Sequence, residues 1–178
     1  MKPSKETAFI AMGLALLITL SQISIPIGII PLTLQTFAVA LIASLYKPKA
    51  AMTITGLYLL LGAIGLPVFA GFSGGFAALI GPTAGFLWGF LAFSGVTASL
   101  THSDSKPWTV FLAALVGDAI CFVAGCVFFK YNLGIDWGQS ISLTVLPFLF
   151  HEGIKLLLVS LIHKGLQPVL KKEAYFNK

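Results

Sequence analysis

Arginine is absent from this chain, and all eleven basic residues are lysine. The planar fork that grips phosphate or carboxylate bidentately is therefore missing, so the net charge of +5 calls for a reading other than a nucleic-acid partner. Charge of either sign is scarce, at 10% of residues, where soluble domains carry about 25%. No polar stretch is long enough for a soluble domain. Cysteine is limited to Cys121 and Cys126. Their five-residue spacing does not set them facing each other on a helix, so they read as reduced packing residues rather than a disulfide or metal framework. There is no GxxxxGK[ST] phosphate loop, so the chain has no ATP motor of its own. No GxSxG or Ser-His-Asp set appears either. The first apolar run, from Thr7, ends at LSQIS without a small-x-small cleavage pattern and reads as a retained helix.

Apolar residues make up 57% of the chain. Runs long enough to cross a hydrocarbon core of about 30 Å recur along its length. The reading is an all-α integral membrane protein, one domain over residues 1–178. Six transmembrane spans are drawn at about 7–24, 32–46, 50–66, 75–100, 108–131 and 147–166. Eight of the nine prolines fall at or near segment ends, and only Pro82 lies inside a span. An interior proline removes a helical hydrogen bond, so a break is expected at Gly81-Pro82.

Lysine placement sets the orientation, because cytoplasmic loops carry the excess of basic residues. With the N-terminus inside, the cytoplasmic side holds Lys2, Lys5, Lys47, Lys49, Lys106, Lys164, Lys171, Lys172 and Lys178, against Lys130 alone outside. Both termini are then cytoplasmic, and the net charge needs no polyanionic partner. The external loops become 26–31, 67–74 and 132–145. The first two are apolar, which suits lids folded over the outer mouth of the bundle or hydrophobic turns at the headgroups.

The stretch Gly65–Phe90 carries seven glycines, two prolines and no charge. Backbone freed from a helix at membrane depth must be buried in protein or line a cavity, so this stretch points to a binding site. Three ionisable residues lie within spans: Asp118, Glu152 and Lys155. Each costs on the order of 2.5–3.5 kcal/mol at a helix centre on insertion scales. Glu152 and Lys155, three apart, share a helix face. They neutralise each other or offer an acceptor and a donor to a small polar headgroup. Asp118 pairs with Lys155, binds a ligand group, or is protonated and hydrogen-bonded, with structural packing as the default reading. HEGIK at His151–Lys155 lacks the second histidine of a zinc HExxH motif. His102 and His163 read as solvated residues at the inner surface. Thr33 and Gln35 open span two. Thr83, Phe86 and Phe90 share a face of span four, and Gly74 and Gly75 lie at its approach. Gly81, Gly85 and Gly89 make a bare ridge for a neighbouring helix, and Ala11 and Ala15 form an AxxxA on span one.

The run GLPVFAGFSGGFAALIGPTAGFLWGF closely resembles the signature of the BioY family, the biotin-specific S components of energy-coupling-factor (ECF) vitamin transporters. PLTLQTFAV at Pro31–Val39 and PFLFHEGIK at Pro147–Lys155 resemble two further segments of that family, in the same order. The resemblance implies a six-helix S-component fold, both termini inside, in the plasma membrane of a bacterium. Biotin is implied as the transported ligand, with no cofactor. The implied partners are a coupling transmembrane subunit and two ATPase subunits, which drive uptake by toppling the S component in the bilayer. Within it, Glu152 and Lys155 correspond to the acid and lysine that hold the ureido ring, and Ala11 and Ala15 to the docking face. The chain departs from the family in having Glu152 where aspartate is usual, and Ala84 and Phe86 where GPTGGY is common. Lacking arginine, it is expected to meet the biotin carboxylate with lysine, backbone N–H, hydroxyl groups or water. An S component for riboflavin or thiamine, and an intramembrane enzyme using Asp118 with Glu152, are the alternatives.

Overall fold

Proline sets where several of the helices begin. In the computed structural model, which describes residues 3–173 and 175–176, α1 (Pro3–Ser21), α3 (Pro48–Ala63) and α5 (Pro107–Leu133) all start on one. A proline costs nothing there, since the first N–H of a helix has no helical partner. The remaining helices are α2 (Gln35–Leu45), α4 (Ala84–Leu100), α6 (Trp137–Thr144) and α7 (Leu149–Lys172). A two-stranded antiparallel hairpin, β1 (Ser24–Ile25) with β2 (Leu32–Thr33), joins α1 to α2 and pairs Ser24 with Thr33. By length and composition, α5 and α7 can each cross a membrane, and α2 and α4 are shorter apolar helices.

α2 is the central element. Every residue from Ala38 to Ser44 is buried, as expected for a helix apolar on all sides. α4 lies along α5 with two glycines in the seam. A Cβ at Gly85 would run into the Ala124 carbonyl oxygen, and one at Gly89 would sit 2.9 Å from the Cys121 Cα. Such close approach is how small residues drive helix packing where lipid supplies no hydrophobic force.

One end of the bundle collects the lysines. Phe9 on α1, Tyr46 after α2, and Tyr175 and Phe176 form an aromatic cluster with ring centroids 4.5–5.9 Å apart. Gln167 on α7 donates to the Ser105 carbonyl at 2.7 Å, and Thr101 donates to that of Ala43 on α2 at 3.4 Å. Lys5, Lys47, Lys49, Lys106, Lys171 and Lys172 therefore lie toward that end, while Lys130 occupies the last turn of α5. Lys2 and Lys178 lie outside the described residues.

Several elements differ from the sequence-based expectation. The fourth span does not run from 75. A 3-10 turn at Phe76–Leu79 gives way to a turn at Gly81-Pro82, and α4 begins at Ala84. Pro82 thus precedes a helix instead of kinking one, and Gly81 stands outside the ridge of Gly85 and Gly89. Residues 26–31 link two strands, so Thr33 lies on β2 and not at the start of a helix. Residues 132–145, expected as a loop, contain α6. α7 passes through Pro168 to Lys172. His163 is fully buried, because α7 continues packed where a surface end was expected.

Candidate ligand-binding site

At the end of the bundle away from the aromatic cluster, the broken stretch turns back over the helices. Gly75 adopts φ 102°, a region glycine enters without strain, and its N–H donates to the Gly62 carbonyl at 2.7 Å. Gly74 is packed so closely on the Leu66 carbonyl oxygen that a Cβ would collide with it. These two glycines shape the segment 67–75. Its position is held from α1: the Gln22 side chain donates to the Val68 carbonyl at 3.1 Å and accepts from the Phe72 N–H at 2.8 Å. Phe69, 2% exposed, packs edge-on against Tyr58 with centroids 5.3 Å apart.

Beneath this segment and the hairpin lies a cavity of about 220 Å³. Its polar floor comes from α2 and α7. Lys155 Nζ donates to Glu152 Oε1 at 2.6 Å, to the Thr33 carbonyl at 2.7 Å and to Thr36 Oγ1 at 3.1 Å. Thr36 in turn donates to Glu152 Oε1 at 3.1 Å. An ammonium has three donors, so every N–H of Lys155 is occupied. Glu152 Oε2 is buried with no hydrogen-bond partner. A lone buried acceptor of this kind carries a desolvation cost of about 1–3 kcal/mol or more until a donor arrives. The empty valence of the floor is thus an acceptor, not a donor.

The remaining walls are largely apolar. Phe86, Leu87 and Phe90 of α4 face Phe122 of α5 and Phe148, and Thr83 adds a hydroxyl with no protein partner among the described residues. Gln35 lines the cavity but is committed elsewhere. It donates to the Tyr58 hydroxyl at 2.6 Å, which donates to Ser21 Oγ at 3.0 Å, tying α1, α2 and α3 together. An apolar cavity with a few convergent polar groups is the usual form of a small-molecule site.

The structure brings Thr33, Gln35, Thr83, Phe86, Phe90, Glu152 and Lys155 together on this cavity. Gly74 and Gly75 act through the backbone beside it, and Asp118 lines a different hollow, between α5, α6 and α7. Glu152 borders both hollows, whereas Asp118 borders the second alone. Sequence reasoning missed Thr36, Phe69, Phe122 and Phe148. Thr36 had a legible signal, one residue past Gln35 and three past Thr33, but its partner Glu152 is 116 positions away.

The BioY family model matches residues 1–172. The chain belongs to the BioY family. The biotin transporter BioY2 of Lactococcus lactis subsp. cremoris is 41% identical over 153 residues, 85% of this chain and 84% of that protein. The biotin transporter BioY of Thermotoga maritima is 36% identical over 149 residues, 83% and 87% of the two chains. Among solved structures, the S-component for biotin from an ECF-type ABC transporter superposes with a TM-score of 0.87 at 26% identity, covering 99% of this chain and 97% of that one. This BioY chain is thus a membrane protein with the fold of an ECF S-component.

Proposed function

We propose that this BioY chain is the biotin-binding S component of an ECF-type transporter in a bacterial plasma membrane. It is a transport subunit and not an enzyme. The observation that carries the ligand assignment is the floor of the cavity. A buried carboxylate there keeps one oxygen unpartnered beside an ammonium whose donors are all in use. A cyclic urea supplies what is missing, an N–H for Glu152 Oε2. Its carbonyl then takes a Lys155 donor by displacing the Thr33 carbonyl. Because Thr33 lies on β2, that exchange couples ligand arrival to the hairpin covering the cavity. The rings of Phe86, Phe90 and Phe122 flank the apolar part of the bicycle, and Thr83 offers its hydroxyl to the tail. Asp118 is set aside from this ligand by its place on another hollow.

The lysine-rich end supports six spans with both termini cytoplasmic, which puts the cavity at the external face. Ala11 and Ala15 are exposed on α1, beside Met12 at 63% exposure, as a docking face for the coupling transmembrane subunit requires. Two ATPase subunits bound to that subunit supply the energy, and toppling of the S component carries biotin to the inner side.

Isothermal calorimetry on ligand-free protein in detergent tests the assignment. Biotin is expected to bind at one site per chain, and riboflavin and thiamine are expected to give no heat. Absence of biotin binding, or tighter binding of another vitamin, removes the proposal.

A further inference from the structure

Glu152 and Phe122 also border the second hollow, a groove of about 480 Å³ between α5, α6 and α7. Its walls include Val123, Val127, Ile141, Val145 and Leu149. Val123 is 64% and Leu149 56% exposed, so the groove opens sideways, toward hydrocarbon in a membrane protein. Asp118 is out of keeping with these walls. It is 3% exposed, its Oδ1 is buried without a hydrogen-bond partner, and no ion pair among the described residues reaches it. Glu152 also borders this groove, but its carboxylate is already engaged by Lys155 and Thr36 at the cavity floor. Among the described residues the one ion pair is Lys155 with Glu152, and Lys155 has no donor left. An apolar trough therefore holds one carboxyl group, that of Asp118, which the one nearby cation does not serve. A buried carboxylate without a partner is among the costliest groups in a dry environment.

We propose that this groove binds a lipophilic primary ammonium, a single alkyl chain ending in –NH3+. The ammonium donates to Asp118, and the chain runs between α5 and α6. Charge complementarity selects the head, and the apolar walls select the chain. Depth selects the source. At 1.5 Å per residue, Asp118 lies about 17 Å from the start of α5 and about 22 Å from its end. The amine of an aminophospholipid is held at the interface by its phosphate and does not reach that depth. A single-chain amine does.

Trp137 lines the groove and is one of three tryptophans, so its fluorescence can report occupancy. In a Trp88→Phe, Trp108→Phe background in detergent, Trp137 emission is followed during titration with decylamine, decanol and decane, each brominated at the chain end as a quencher. The amine is expected to quench saturably and the alkane weakly and without saturation. Asp118→Asn is expected to weaken the amine by at least about tenfold, as loss of one partner from a buried charge pair does. Val123→Phe, at an exposed position, is expected to block it by filling the groove. The proposal is overturned if the amine quenches no better than the alkane, a comparison that needs no change at Asp118. It is equally overturned if Asp118→Asn leaves the amine titration unchanged. Biotin takes no part in the readout, so this result stands apart from the assignment of the cavity's ligand.

Discussion

Lys155 and Thr36 show how much of this site rests on single atoms. Lys155→Met removes the one cation beside Glu152 and leaves a buried carboxylate unpaired, a change that costs about 3–5 kcal/mol. Biotin binding measured by calorimetry is expected to fall below detection. The double variant Glu152→Gln with Lys155→Met recovers stability, read as thermal midpoint in detergent, but not binding. Retained affinity in Lys155→Met would take Lys155 out of the site. Thr36→Val is the subtler test. It conserves shape and leaves both Glu152 Oε1 and Lys155 one hydrogen bond short, at about 1–3 kcal/mol. We expect weaker biotin binding, restored by Thr36→Ser, which returns the hydroxyl. If serine restores nothing, the threonine acts by packing alone.

The lids are an element-scale feature, since neither is stable by itself. The hairpin has two residues per strand, far too few for independent stability, and the segment 67–75 contains one 3-10 turn, Ala70–Phe72, closed by a single bridge between Phe69 and Ser73. Both borrow order from helices: Thr33 from Lys155 on α7, and the segment at Val68 and Phe72 from Gln22 at the end of α1. Gln22→Ala deletes both ties of the second lid and leaves the cavity floor untouched. Its biotin dissociation rate is expected to rise roughly tenfold with little change in association, followed by chase of labelled ligand. Hydrogen exchange at residues 68–73 should quicken in parallel. Unchanged dissociation and exchange would mean that the apolar packing of Phe69 holds the lid without Gln22.

On the scale of the whole molecule, the two ends have different tasks. The end bearing the aromatic cluster and the lysines has packed aromatic contacts, and the opposite end has the cavity under its two lids. Between them the outward face of α1 presents Ala11 and Ala15, away from both. Ala11→Trp is therefore expected to leave biotin affinity within about twofold, as for surface changes generally, while preventing co-purification with the coupling subunit. Intact complex formation and uptake in that variant would show that assembly uses another face.

Composition, proline spacing and lysine placement were enough to read a helical membrane protein, most of its helix positions and an uneven distribution of charge. These depend on one-dimensional patterns: apolar run length, helix period and breakers. The Glu152–Lys155 pair was legible for the same reason, being three residues apart on one helix. Thr36 and Phe122 were not, because their partners come from other helices and only packing brings them near. Tertiary structure also decided the polarity of the site. The sequence shows an acid and a base side by side. Only the fold reveals that Thr33 and Thr36 use up the base's donors, so that a carboxylate oxygen is left without a partner. It likewise sends Asp118 to the groove between α5, α6 and α7, since rotation about the α5 axis, which no spacing rule dictates, sets which hollow a side chain on that helix faces.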